Sequence, residues 1–186
     1  MPNLDNLASD ATLFTNAFAT TASCSASRSV ILSGLHNHLN GQYGHQHNYH
    51  KFSSFQNIQS LPVILTKHGY RTFRIGKYHV APEPVYRFET TLQGNSRNAV
   101  QMAKNCEELI NSKNAKPFFL YFATSDPHRG GGTDKSSKFK PDLFGNKSNK
   151  GSHNGVNEVF YDINDVEGPA FLPDTPTCRA ELAQYY

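Results

Sequence analysis

Apolar positions along the chain follow two periods. Residues 61–68 and the set Val100, Ala103, Cys106, Leu109 and Ile110 recur at helical spacing, whereas residues 70–75 alternate and are rich in strand formers. Residues 25–33 read as a helix stopped by Gly34, and residues 61–68 as a second helix stopped by Gly69. Pro117-Phe118-Phe119-Leu120-Tyr121-Phe122 is a continuous apolar run, the pattern of a strand buried on both faces. Near the start, Leu4, Leu7 and Ala8 fit a short helix capped by Asn3, and residues 12–18 form a strand-like run. Near the end, Thr175 is placed to cap and Pro176 to occupy the first helical position of a last helix that runs to the final residue. Helices alternating with strands predict an α/β layered sheet. Residues 129–157 are rich in Gly, Lys, Ser and Asn and read as one long surface loop.

The composition sharpens this picture. With 37% hydrophobic and 12% aromatic residues, the 186-residue chain can bury a core, which excludes a disordered tail. Its net charge of +3 is too small to argue for nucleic acid as a partner. No window approaches the roughly 18 consecutive apolar residues that a membrane span needs, so no membrane partner is expected. Met1-Pro2-Asn3-Leu4-Asp5 lacks the basic start and apolar run of a signal peptide, so the chain by itself carries no export address. Three cysteines without C-x-x-C spacing leave room for at most one bridge and do not suggest a zinc knuckle. Both ends fall inside a pattern, so the chain reads as an internal piece of a larger domain.

The segment richest in chemistry is Ala22-Ser23-Cys24-Ser25-Ala26-Ser27-Arg28-Ser29-Val30-Ile31-Leu32-Ser33-Gly34. It sets a cysteine at a helix start with an arginine one turn later. Amide N–H groups and the positive end of the helix dipole attract an oxyanion, and Arg28 adds a planar donor fork. A thiol there would be acidified and reactive. A small buried cysteine ahead of an ordinary amphipathic helix accounts for the local pattern equally well.

Downstream, Gly69-Tyr70-Arg71-Thr72-Phe73-Arg74-Ile75-Gly76-Lys77-Tyr78-His79 ends a strand at Gly76. Lys77 and His79 therefore emerge at a strand's C-terminal edge, where open α/β sheets place their ligands. Taken alone, Lys77 also suits a solvated surface charge and His79 a hydrogen-bonded loop residue. A third segment, Phe122-Ala123-Thr124-Ser125-Asp126-Pro127-His128-Arg129, puts His128 just past the buried strand, either for acid–base work or as part of a capped turn.

The first two segments resemble the paired signatures of the sulfatase family, C-x-[P/A]-x-R and G-Y-x-T-x-x-x-G-K-x-H, in the family's order. Ala26 stands where animal sulfatases most often have Pro, and Ser33 where Thr is usual. The wider chain is similar to the sulfamidase branch, the N-sulfoglucosamine sulfohydrolases. That likeness is carried by Asp126-Pro127-His128-Arg129, Asn40-Gly41-Gln42-Tyr43-Gly44, His79-Val80-Ala81-Pro82-Glu83-Pro84-Val85-Tyr86 and Arg179-Ala180-Glu181-Leu182-Ala183. It departs at Ser125, where those enzymes have His, and in the Gly-rich loop, which lacks the cysteines, and hence the loop disulfide, that they carry there.

The resemblance implies an alkaline-phosphatase-like α/β/α sandwich with a mixed central sheet, of which residues 1–186 hold a part. It implies hydrolysis of the N-sulfate of terminal N-sulfoglucosamine in heparan sulfate, in the lysosome, with a formylglycine-generating enzyme as maturation partner and a homodimer as assembly. In the family's mechanism Cys24 is oxidised to formylglycine, whose hydrated aldehyde attacks sulfur. Arg28 and Lys77 then clamp the hydrate and sulfate oxygens, His128 protonates the leaving nitrogen, and His79 removes the proton that releases sulfate. The family's cation is calcium, held by hard oxygen ligands. Residue 24 as formylglycine supplies one of them. The family's adjacent aspartates and its Asp-Asn pair match no part of this chain, so the chain alone is expected to be inactive and its sheet poorly stable.

Two other readings stand beside this one: an O-sulfate ester sulfatase of the same family, and a noncatalytic glycan- or metal-binding module. The last would use His36, His38, His45, His47 and His50, whose spacing fits no standard zinc pattern and suits a solvated loop. It would also use Lys135, Lys138, Lys140, Lys147 and Lys150, which suit a solvated loop as well. Asn146-Lys147-Ser148 is a glycosylation sequon in that loop. Cys106 reads as core.

Overall fold

A computed structural model of the protein describes residues 2–130, 132–143 and 159–186. The sequon, Lys147 and Lys150 lie outside the described residues. The chain divides into two compact units, Met1–Val63 with His79–Arg87, and Ile64–Tyr78 with Phe88–Tyr186.

The first unit holds α1 (Pro2–Ser9), α2 (Cys24–Ser33) and α3 (Asn37–Asn40). As the Gly34 signal predicts, α2 ends on a left-handed glycine, φ +68°, whose N–H donates to the Val30 carbonyl. The strand expected over residues 12–18 does not form. Leu13, Phe14 and Phe18 are 70%, 77% and 91% exposed there, and an extended run with no neighbouring strand to pair with gains nothing from its β propensity.

Much of this unit's interior is polar. On α2, Ser25, Ala26, Ser29 and Leu32 are buried, and the buried amide of Asn40 donates to Ser29 Oγ at 3.0 Å, Ser33 Oγ at 3.3 Å and the Leu35 carbonyl at 3.1 Å. Asn37 donates to the Ala26 and Gln42 carbonyls at 2.9 and 2.7 Å. Tyr86, fully buried, meets Ser54 Oγ at 2.5 Å. Burial pushes its phenol above the usual tyrosine range, with hydrogen bonds to Ser54 and Ser29 pulling partway back. Each such partner, if removed, leaves a buried polar atom unsatisfied at a cost of about 1–3 kcal/mol. The network thus fixes the direction of α2 in a way that a greasy contact would not.

The second unit is built on a three-stranded parallel sheet in the order β2 (Thr90–Leu92), β1 (Arg71–Gly76), β3 (Phe118–Ala123). Register is fixed by pairs such as Arg71 with Phe118 and Gly76 with Ala123. Helix α4 (Leu61–Lys67) leads through Gly69, φ +84°, into β1. Helix α5 (Ala99–Asn111) starts at Asn98, whose side chain accepts from Gln101 N. Its stripe of Met102, Cys106 and Leu109 is buried, and Met102 and Cys106 form a core with Ile75, flanked by Leu92 and Leu120. Fully burying Ile75 and Met102 contributes roughly 1.5–3 kcal/mol each.

The apolar run at β3 predicted burial on both faces, and the structure corrects this. Phe118 and Phe122 are 39% and 41% exposed: β3 is an edge strand of the described sheet, and on the face they share with Leu120 it is Leu120 that packs against the core around Met102 and Cys106. Helix α6 (Pro176–Tyr185) starts as its sequence predicts, with Thr175 accepting from Cys178 N and Pro176 in the first turn. Of the long loop, the described residues carry one antiparallel bridge, Thr133 to Asp142, and Asp142 N donates to Glu181 of α6. None of the three cysteines forms a disulfide among the described residues.

Candidate functional site

In the first unit, Cys24 is the opening residue of α2 and is half-buried. Ser23 before it is extended, φ −127° and ψ 130°, and makes no side-chain cap. Its hydroxyl is buried without a hydrogen-bond partner, which leaves a polar atom beside Cys24 ready for an incoming oxygen. Arg28, also half-buried, follows one turn later on the same helix face. First-turn amides, the positive end of the dipole and an arginine one turn on thus share the end of α2 where the sequence predicts an oxyanion cradle.

A loop of histidines lies against the first turn of α2. Gln46 N donates to Ser25 Oγ at 3.1 Å, so His45 and His47 flank a backbone amide tied to the residue next to Cys24. The loop is closed by Phe52 N donating to the His45 carbonyl at 3.1 Å and by the buried Gln42 amide donating to Gly44 and Phe52 carbonyls at 3.0 and 2.8 Å. His79 packs here: its ring centroid lies 4.7 Å from that of His47 and 5.9 Å from that of His45. His47 Nδ1 and His79 Nε2 are 2.5 Å apart. His79 itself has φ +58°, in the left-handed region that residues other than glycine adopt only occasionally. A solvated loop of scattered histidines is therefore a wrong reading for His45 and His47, which face a predicted site residue. His36 and His38, both exposed, stack on each other at the start of α3, and exposed His50 packs edge-on against His45.

Lys77 and His128 belong to the second unit, and their placement is a property of the sheet. Lys77 directly follows β1, its N–H donating to the Ala123 carbonyl at 2.8 Å. His128 lies in the turn after β3, its N–H donating to Ser125 O at 2.9 Å and its Nδ1 2.6 Å from the Arg129 carbonyl. Both stand at the C-terminal edge of neighbouring parallel strands, as the sequence predicts. Arg97 holds that turn through Asp126 Oδ1 at 2.6 Å and the carbonyls of His128 and Arg129 at 3.1 and 3.3 Å. Ser125, the departing residue, pairs with Ser96 Oγ at 2.6 Å. Burial pushes the Asp126 carboxyl above its usual range, and the attraction of Arg97 offsets part of the rise. Sequence reading missed Arg97 because nothing local ties it to a turn some thirty residues on.

Among the described residues, the one group of His, Cys, Asp or Glu side chains close enough to share a metal ion is His45, His47 and His79. Three imidazoles are not the hard oxygen set that calcium takes, so the described residues do not form a calcium site.

Comparison with known proteins places these features in a family. Residues 1–164 match the family described as Sulfatase. The N-sulphoglucosamine sulphohydrolase of Homo sapiens is 39% identical over 193 aligned residues, taking in 100% of this chain and 38% of its own length. The ulvan-active sulfatase of Formosa agariphila is 33% identical over 132 residues, 68% of this chain and 25% of its own. An N-acetylglucosamine-6-O-sulfatase of Bacteroides thetaiotaomicron is 37% identical over 83 residues, 45% of this chain and 14% of its own. The chain therefore spans well under half the length of these relatives. A solved structure in complex with its substrate D-glucosamine-2-N,6-O-disulfate superimposes with a TM-score of 0.55 at 25% identity, over 69% of this chain and 30% of that one.

Proposed function

From the premise that the chain belongs to the sulfatase family, with that family's alkaline-phosphatase-like α/β fold, we propose that the protein carrying it hydrolyses the sulfur–nitrogen bond of terminal N-sulfoglucosamine in heparan sulfate. The observation that carries this is the placement of Cys24 at the start of α2, one turn before Arg28, in a chain similar over its whole length to an N-sulphoglucosamine sulphohydrolase. Converted to formylglycine by a generating enzyme, residue 24 supplies a hydrated aldehyde as nucleophile.

The chain's own residues do the rest. Arg28 and the first-turn amides of α2 hold sulfate oxygens and stabilise charge that grows as the bond breaks. Lys77, a strongly hydrated point charge on a flexible stem, does the same from the end of β1. His79 accepts a proton at the residue 24 oxygen, and the contact of its Nε2 with His47 Nδ1 holds the ring in place. His128, exposed beyond β3, delivers the proton that the leaving nitrogen needs. No step is assigned to calcium. A lysosomal setting and a homodimer belong to the same proposal.

O-sulfate ester hydrolysis is the second reading, supported by the likeness to an N-acetylglucosamine-6-O-sulfatase. The two are separated by offering the full-length protein glucosamine sulfated at nitrogen alone or at oxygen alone. Release of sulfate from the N-sulfated sugar, at least about tenfold faster by kcat/KM, is expected. The reverse preference refutes the sulfamidase assignment.

A further inference from the structure

Three histidines from two separate stretches of sequence converge in the first unit, and their nitrogen atoms all lie within 4.8 Å of one another. We propose that His45, His47 and His79 form a binding site for a borderline divalent transition-metal ion of the zinc class, distinct in donor chemistry from the family's oxygen-ligated cation.

The geometry is close to what such an ion needs. Zinc holds imidazole nitrogens at about 2.0–2.1 Å in a tetrahedron, which sets neighbouring nitrogens about 3.3 Å apart. His47 Nδ1 and His79 Nε2, now 2.5 Å apart, open slightly on binding, and the His45 nitrogen moves in. Without an ion, His45 Nδ1 is buried with no hydrogen-bond partner. Two imidazoles that meet nitrogen to nitrogen must share a single proton, which a metal ion replaces with a bond to each ring.

The backbone is set in advance. His45 is fixed by its carbonyl bond from Phe52 N, the peptide between His45 and His47 by Ser25, and the segment after His79 by Ser54 N donating to the Ala81 carbonyl at 2.8 Å. Exposed His47 gives a path in from solvent, and three protein ligands leave a fourth position for water or an anion. No carboxylate belongs to the cluster, so its ligands are imidazoles alone. On the functional reading above, a bound ion ties up His79 and blocks its proton transfer.

The test is a titration of the protein with Co²⁺, whose optical spectrum reports ligand type and which requires no turnover. Failure here removes the metal site and leaves the sulfatase reading untouched. The expected result is a visible d–d spectrum without intense thiolate charge transfer, not displaced by excess Ca²⁺, and a melting midpoint that rises with Co²⁺. His47→Asn, at an exposed position, is expected to weaken binding by more than the roughly 10–100-fold that loss of a mere outer partner costs. His45→Gln should do likewise, and His50→Asn should leave binding unchanged. Undiminished binding in both His47→Asn and His45→Gln, displacement by Ca²⁺, or a thiolate band abolished by Cys24→Ser would overturn the proposal.

Discussion

Gly76→Ala is expected to lower the melting midpoint by about 10 °C or more, the largest stability loss of any single methyl addition in the sheet. Gly76 ends β1 at φ +84°, where a side chain is strained by about 1–3 kcal/mol. A Cβ built there would also sit 2.1 Å from the Ala123 carbonyl oxygen and 2.7 Å from Met102 Cε. The carbonyl is backbone of the paired strand β3 and accepts from Lys77 N, so it cannot step aside without breaking the register that positions Lys77. Overpacking of this kind adds roughly another 1–3 kcal/mol. For a chain of this size each kcal/mol is worth about 2–4 °C. Gly69→Ala is the matched control: its φ is also +84°, but nothing lies within 4 Å of the added atom. It should lose the strain term alone. Thermal melts of the two variants that coincide within about 2 °C would show that the close approach at β3 does not matter.

Cys24→Ala in the full-length protein is expected to cut sulfate release at least about a thousandfold, the scale on which removal of a nucleophile acts. Folding should be nearly unchanged. Cys24 is only half-buried, lies outside the Ile75, Met102 and Cys106 cluster, and alanine favours the helix it opens. Cys106→Ala makes the opposite pattern. Cys106 is 1% exposed and packs in the core with Ile75 and Met102, so its truncation should lower stability and leave turnover at low temperature intact. Activity retained by Cys24→Ala, or lost equally by both variants, would remove Cys24 from the chemistry.

How much of this was legible in the sequence depends on whether the cause is local. The helix at α2, its Gly34 stop, the Thr175 and Pro176 start of α6 and the β1 strand all rest on short-range rules, and each forms where those rules put it. The tip of the first motif, Cys24 with Arg28, and the strand-end position of Lys77 were readable for the same reason. Residues 12–18 failed because alternation marks only a capacity to pair, and no described strand is there to pair with. The apolar run at β3 did form a strand, but exposure of Phe118 and Phe122 depends on what covers the sheet, which no window reveals. Short elements such as α3 and β2 are too brief to show a period. His45 and His47 were misjudged for a deeper reason. Their spacing matches no ligand pattern because the third partner, His79, comes from another stretch, brought to them by tertiary bonds such as those of Ser54 with Ala81 and Tyr86.

Tests of the sulfatase chemistry meet at one atom, the sulfur of residue 24. Aldehyde-reactive labelling with peptide mass analysis, done on the full-length protein from its own host, reads that atom directly. The expected result is a residue 24 that has exchanged its thiol for an aldehyde and takes up the label, while Cys106 and Cys178 remain thiols. An unmodified thiol at Cys24 in every molecule would contradict the account.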